Sequence, residues 1–228
     1  MEKEWSLDVL QQLEKIFKEN VLIQIQYQLL LCANRRWNME YQKKSRECTL
    51  EDYYQLPDER RAELIDGVIY DMSAPTIIHQ KISLEISVRL HAFISQKKGA
   101  CMVFSAPVDV QLDCDNKTMV EPDVGIICDP SKIKRFGIYG APDFVLEVIS
   151  PSTKKRDYAL KLSKYMEAGV REYWIVDFVQ AKILVYYFEG DNYPVIYGFD
   201  KPVPVNIYGG DLTIDFSNIA KWLEEGME

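Results

Sequence analysis

The chain has 228 residues, 47% of them apolar and 27% charged, enough for one sizeable core and a smaller appendage. Its net charge of −8 excludes a general nucleic-acid coat, although a local basic patch still admits a nuclease. Five cysteines without CxxC spacing and only two histidines, His79 and His91, exclude a cysteine zinc site and a histidine-rich metal centre. The thiols are expected to be reduced, and any metal to be a hard, oxygen-preferring one.

Residues 1–47 read as an N-terminal helical extension to a domain over 48–228. Ser6 can cap a helix on which Leu10, Leu13 and Phe17 recur at helical spacing. From Val21 the pattern fits a strand or a buried helix, with helix preferred; its apolar face would cover the main domain or a second copy of the chain. The run from Val21 to Cys32 is too short to span a bilayer and carries Gln24, Gln26 and Gln28, and the first residues do not read as a signal peptide. A cytoplasmic location is expected.

Thr49 opens a short capped helix that ends before Pro57. Ala62 to Met72 reads as a hairpin with Asp66-Gly67 as its tight turn, which makes Asp66 a turn residue and carries Glu63 into the first strand. Pro75-Thr76 opens an amphipathic helix with Ile78, Ile82, Ile86, Leu90 and Phe93 on one face, ended by Gly99. Strands follow over Met102 to Leu112, Val120 to Cys128 and Phe144 to Ser150, the last two separated by a loop. A helix from about Asp157 to Ala168 is capped by Gly169. Glu172 to Asp177 and Lys182 to Phe188 are strands, a further one lies near Pro194 to Tyr197, and Asn218 to Leu223 closes the chain as a helix. The crossover between parallel neighbours predicts an α/β (α+β) fold, a central mixed sheet flanked by helices.

Two apolar runs are each interrupted by a carboxylate: Met119-Val120-Glu121-Pro122-Asp123-Val124 and Phe144-Val145-Leu146-Glu147-Val148-Ile149. Charge is costly in strands this apolar, and a divalent cation shared by neighbouring carboxylates would satisfy both. Equally, Asp123 could cap a turn beside Pro122 and Glu147 could pair with a buried Arg or Lys. Counted at 100° per residue from Tyr158, Lys161 falls at the edge of the buried helix face, roughly 80° from its centre, and Lys164 roughly 140° away in solvent. Lys161 is thus the lysine best placed to reach the carboxylates, unless it serves an i,i+4 pair with Asp157. Two basic clusters flank them, Lys132, Lys134 and Arg135 before Glu147 and Lys154, Lys155 and Arg156 after it, as phosphate contacts would require; a merely solvated loop has the same composition. His79, at a helix start, reads as a satisfied surface or core histidine.

Glu63-Leu64-Ile65-Asp66-Gly67, Glu121-Pro122-Asp123-Val124 and Pro142-Asp143-Phe144-Val145-Leu146-Glu147-Val148-Ile149-Ser150-Pro151-Ser152-Thr153 together resemble the Uma-two-type restriction endonuclease family of the PD-(D/E)xK nuclease superfamily. Asp157, Lys161, Tyr165, Gly169-Val170 and Glu172-Tyr173-Trp174-Ile175-Val176-Asp177 continue the likeness, which covers about Thr49 to Leu223. The resemblance implies a restriction-endonuclease-like core and Mg²⁺- or Mn²⁺-dependent hydrolysis of DNA. It assigns Asp123 and Glu147, with the backbone carbonyl of Val148, to the metal, and adds Lys161 and Glu63 to the catalytic set. Ile149 stands where the family's usual lysine would be, and Lys161 on the following helix is the matching substitute. The partners expected are the DNA phosphate backbone and a second copy of the chain in a homodimer. The competing class is a degenerate nuclease fold that binds nucleic acid or protein without catalysis; hydrolysis of a non-nucleic phosphate ester is a third.

Overall fold

The computed structural model describes residues 47–57, 59–112, 115–149, 156–190 and 193–225. The expected extension over 1–47 therefore lies outside the described residues, apart from its last position.

Local chemistry fixes the first elements. Helix α1 (Leu50–Tyr54) is held by a reciprocal capping box: Asp52 accepts the Thr49 backbone N–H at 2.8 Å, and the Thr49 hydroxyl oxygen accepts that of Asp52. Strands β1 (Ala62–Ile65) and β2 (Val68–Asp71) are joined by Asp66 and Gly67 at φ 51° and 73°. Two successive left-handed residues are what a two-residue hairpin needs to match strand twist, hence Asp-Gly. Helix α2 (Ile77–Gln96) starts at the Thr76 cap and buries Ile82, Ser83, Ile86, Leu90 and Ile94 along one stripe.

The remaining strands are β3 (Met102–Ser105), β4 (Val110–Gln111), β5 (Met119–Val120), β6 (Val124–Ile127), β7 (Ile133–Lys134), β8 (Gly137–Tyr139), β9 (Phe144–Val148), β10 (Glu172–Asp177), β11 (Lys182–Tyr187), β12 (Val195–Gly198), β13 (Val203–Pro204) and β14 (Thr213–Ile214). A π-helical turn over Arg156–Lys161 runs into helix α3 (Leu162–Ala168), and α4 (Ser217–Glu225) closes the fold. One sheet has the order β2-β1-β5-β4-β8-β7, the other β12-β11-β10-β9-β6-β3, and β13 and β14 form a small ribbon. In the second sheet β9 and β10 are parallel, bridged by the α3 crossover, while the other pairs are antiparallel. The expected mixed α/β architecture is present.

The central strands of that second sheet, β6, β9 and β10, are buried along their whole length, so they read as nearly unbroken apolar runs. Val124, Ile126, Phe144, Leu146 and Trp174 face α2 and the C-terminal Phe216 and Ile219. Val145, Ile149, Tyr173 and Ile175 face the other way, toward Leu162 and Tyr165 of α3 and toward Val110, Val120 and Ile138 of the first sheet. Each such fully buried large side chain is worth about 1.5–3 kcal/mol. Gly125 is required where the ring of Phe104, its partner across β3, would lie 2.2 Å from any added Cβ.

Three expectations are corrected. The strands foreseen over Met102 to Leu112 and Val120 to Cys128 are each divided, and each crosses from one sheet to the other: β3 to β4, and β6 back to β5. Pro107 and Pro122 stand at the two breaks, and proline cannot donate to a ladder. The loop before Phe144 contains the β7–β8 hairpin. Cys101 and Cys128 form a disulfide, whereas reduced thiols were expected; Cys48 is free. Met102 pairs with Ile127, so the register sets the next residues outward opposite each other, a juxtaposition that sequence spacing does not reveal.

Candidate active site

The break between β5 and β6 leaves Asp123 outside any ladder, at the junction of the two sheets. The β6–β9 register pairs Val124 with Leu146, and its continuation sets Asp123 across from Glu147. Glu63 arrives from β1 of the first sheet, and Lys161 from the end of the π turn. Four charged groups are thereby buried together: Glu63 is fully buried, with Lys161 3%, Glu147 4% and Asp123 8% exposed.

The Lys161 ammonium lies 2.7 Å from Glu63 Oε1 and 2.8 Å from Glu147 Oε1. One turn further along, the Tyr165 hydroxyl donates to the same Glu147 oxygen at 2.6 Å. Burial, reinforced by the Glu147 charge, pushes the Tyr165 phenol well above its ordinary value, so it remains a donor. Buried carboxylates sharing one ammonium are stable only because hydrogen bonds take up part of the desolvation penalty.

Asp123 is held differently. Its Oδ2 accepts the Val148 backbone N–H at 2.7 Å and lies 2.9 Å from His79 Nε2. Both contacts fall on Oδ2, leaving Oδ1 without a partner among the described residues. The sequence suggests a satisfied histidine at His79; it faces Asp123, and its buried Nδ1 has no hydrogen-bond partner among the described residues. The signal that could have found it is helical phase, since His79, Ile82, Ile86 and Leu90 share the buried stripe of α2.

An outer set supports the first. The Glu121 backbone N–H donates to Glu63 Oε1 at 3.1 Å, and Arg61 pairs with Glu121 at 2.6 Å. Burial pushes the Glu121 carboxyl up, opposed by the Arg61 guanidinium.

Of the residues singled out in the sequence, Glu63, Asp123, Glu147 and Lys161 thus converge. Lys164 does not point to solvent as its helix angle predicted. It is buried, and its ammonium spans Asp66 at 2.5 Å and Asp115 at 3.0 Å. The wide turn over Arg156–Lys161 resets the angular phase that was counted from Tyr158 as if the segment were α-helical. Lys134 and Arg135 are exposed on the β7–β8 hairpin, whereas the Lys132 ammonium is committed to the Ala141 carbonyl at 2.9 Å. Lys154 and Lys155 lie outside the described residues, as does the side chain of Arg156.

Among the described residues no three histidine, cysteine or acid side chains form a ready-made cation cage. The donor set nevertheless suits Mg²⁺, which keeps several waters and takes only one or two protein carboxylates with the substrate's own oxygens. The Lys161 ammonium, seated between Glu63 and Glu147, shows that this pocket already accommodates positive charge.

Comparisons with known proteins agree with this architecture. The family profile described as "Uma2: Putative restriction endonuclease" matches residues 50–206. The "Uncharacterized protein slr1290" of Synechocystis sp. is 28% identical over 145 residues, covering 62% of this chain and 75% of that protein. A crystal structure described as a putative nuclease belonging to DUF820, from Anabaena variabilis, superposes with a TM-score of 0.64 at 21% identity, covering 77% of this chain and 98% of that one. At that identity the likeness establishes the fold. No described helix is long and apolar enough to cross a membrane.

Proposed function

This chain belongs to the Uma2 family, described as "Putative restriction endonuclease", and on that premise we propose that it is a metal-dependent nuclease hydrolysing phosphodiester bonds in DNA. The observation that carries the proposal is the convergence of Asp123, Glu147 and Lys161, buried at the seam of two sheets.

In this reading Asp123 and Glu147, with the carbonyl of Val148, hold Mg²⁺ or Mn²⁺. When bound, the ion supplies phosphate polarisation and a lowered water pKa. The Val148 N–H and His79 fix Asp123 through Oδ2 and so present Oδ1. Tyr165 fixes Glu147. Lys161 brings a permanent positive charge to the phosphate and offsets the charge that builds on it during displacement. The buried surroundings strengthen each of these interactions.

A second reading, a catalytically degenerate fold that only binds, is favoured by one observation: Lys161 is itself committed to ion pairs with Glu63 and Glu147, with Ile149 in the usual lysine position. The discriminating experiment offers plasmid, single-stranded and branched DNA with Mn²⁺ to the wild type, Asp123→Ala and Glu147→Gln. Metal-dependent cleavage lost in both variants is expected. Undiminished cleavage by Glu147→Gln sinks the catalytic assignment, and no cleavage by any protein favours the binding module.

A further inference from the structure

The register Ile133↔Ile138 and Lys134↔Gly137 makes Arg135 and Phe136 the two turn residues of the β7–β8 hairpin. Such turns are normally given to small or polar residues. Here Phe136 is 79% exposed, more than any other large apolar side chain described, and the Arg135 guanidinium lies 5.1 Å from its ring centre. Beside the hairpin runs a groove of about 530 Å³ whose floor includes Met102, Phe104, Pro107 and Val108. Of its two acidic lining residues Glu121 is balanced by Arg61, whereas Asp109 accepts only from the neutral Tyr53 hydroxyl at 2.9 Å and keeps its charge. Lys134 and Arg135 make no ion pair among the described residues, so two cations stand against one carboxylate and the balance offered to a ligand is positive. The groove also adjoins the candidate site, because the Glu121 that lines it bonds Glu63 and precedes Asp123 by two positions.

We infer that this groove seats an unpaired strand of nucleic acid, one base stacked on Phe136 and the neighbouring phosphates met by Lys134 and Arg135. The inference rests on the nuclease reading and names the form of its substrate. An aromatic ring held open to solvent gains from a flat π-face, and every base has one, but in a closed duplex both faces are covered by neighbouring pairs. A second copy of the chain is a poorer occupant: a twofold contact through the hairpin would set Lys134 and Arg135 against themselves.

The test measures binding of fluorescein-labelled single-stranded and blunt duplex DNA of one sequence to the full-length protein in EDTA, so that cleavage plays no part. The wild type is expected to bind the single strand more tightly than the duplex. Phe136→Ala should weaken single-strand binding about tenfold and duplex binding little. Joint replacement of Lys134 and Arg135 by alanine should lower the salt slope by about 0.7 per residue. Circular dichroism confirms that the variants are folded, and Phe136→Trp gives a second readout through indole quenching by the single strand. Phe136→Ala binding single strands as the wild type does, with no quenching in Phe136→Trp, overturns the inference. So does wild-type binding that favours duplex, or self-association that Phe136→Ala abolishes while DNA binding stands. Phe136-dependent single-strand binding without metal-dependent cleavage upholds it while removing the nuclease reading, so the two failures are distinguishable.

Discussion

Lys161 and Lys164 stand three positions apart on one helical segment, and each ammonium bridges carboxylates from distant segments, Lys164 also reaching Glu167 one turn along its own helix at 3.4 Å. Lys161 joins strand residues, Glu63 of β1 and Glu147 of β9, both shielded from water. Lys164 joins residues of a turn and a loop, Asp66 and Asp115, whose side chains are 45% and 25% exposed. The same ion-pair chemistry therefore serves two ends. At the rim it clips loops together and water can take over if it is lost; in the interior it balances charge that water does not reach. Burial, not the pairing itself, separates a site from a strut.

The sharpest way to break this comparison is through activity. Glu147→Gln should lower metal-dependent cleavage on the order of 10²–10³-fold, measured by single-turnover cleavage, whereas Lys164→Met should leave it unchanged. An equal loss in both variants would erase the distinction. Stability comes next. Lys161→Met strands two buried carboxylates and should cost about 3–5 kcal/mol by urea denaturation. Mg²⁺ should restore more of that loss than it adds to the wild type, because the ion replaces the missing charge. Lys164→Met should cost less, its acids being partly hydrated already.

The smallest effect concerns pH. Hydrogen bonds from Lys117, Thr118 and Lys164 outweigh burial and hold the Asp115 carboxyl below the ordinary aspartate value of 3.8. Its folded-state pKa is thus lower than its unfolded one, so its contribution is present above the ordinary value and lost as pH falls through the depressed one. Urea midpoints measured across the acid range should fall less steeply for Asp115→Asn than for the wild type. An unaltered slope would show that the clip does not contribute.

Much of this was legible because alternation and helical phase are local signals. The Asp66-Gly67 turn, the stripe on α2, and the burial of Asp123 and Glu147 all follow from residues within a few positions of one another. Lys161 was reached by the same counting, although the π turn made that count wrong for Lys164. Glu63 came only with the family resemblance, since nothing near it in the chain points to Glu147. The disulfide and the His79 contact stayed hidden for the same reason: each depends on a register or a packing angle set by distant segments. The two long strands read as continuous because alternation carries on past Pro107 and Pro122, although each proline marks a change of sheet.

The division of those strands has a kinetic consequence. Glu63, Asp123, Glu147 and Lys161 come from four separate segments, and no two of them are brought together by a local turn. Several loop closures must therefore be completed before all four meet, which favours late assembly of the whole constellation in folding. A growing or truncated chain that ends before Lys161 would carry Glu63 and Glu147 without the ammonium that bridges them, so the constellation is complete only once the crossover helix emerges.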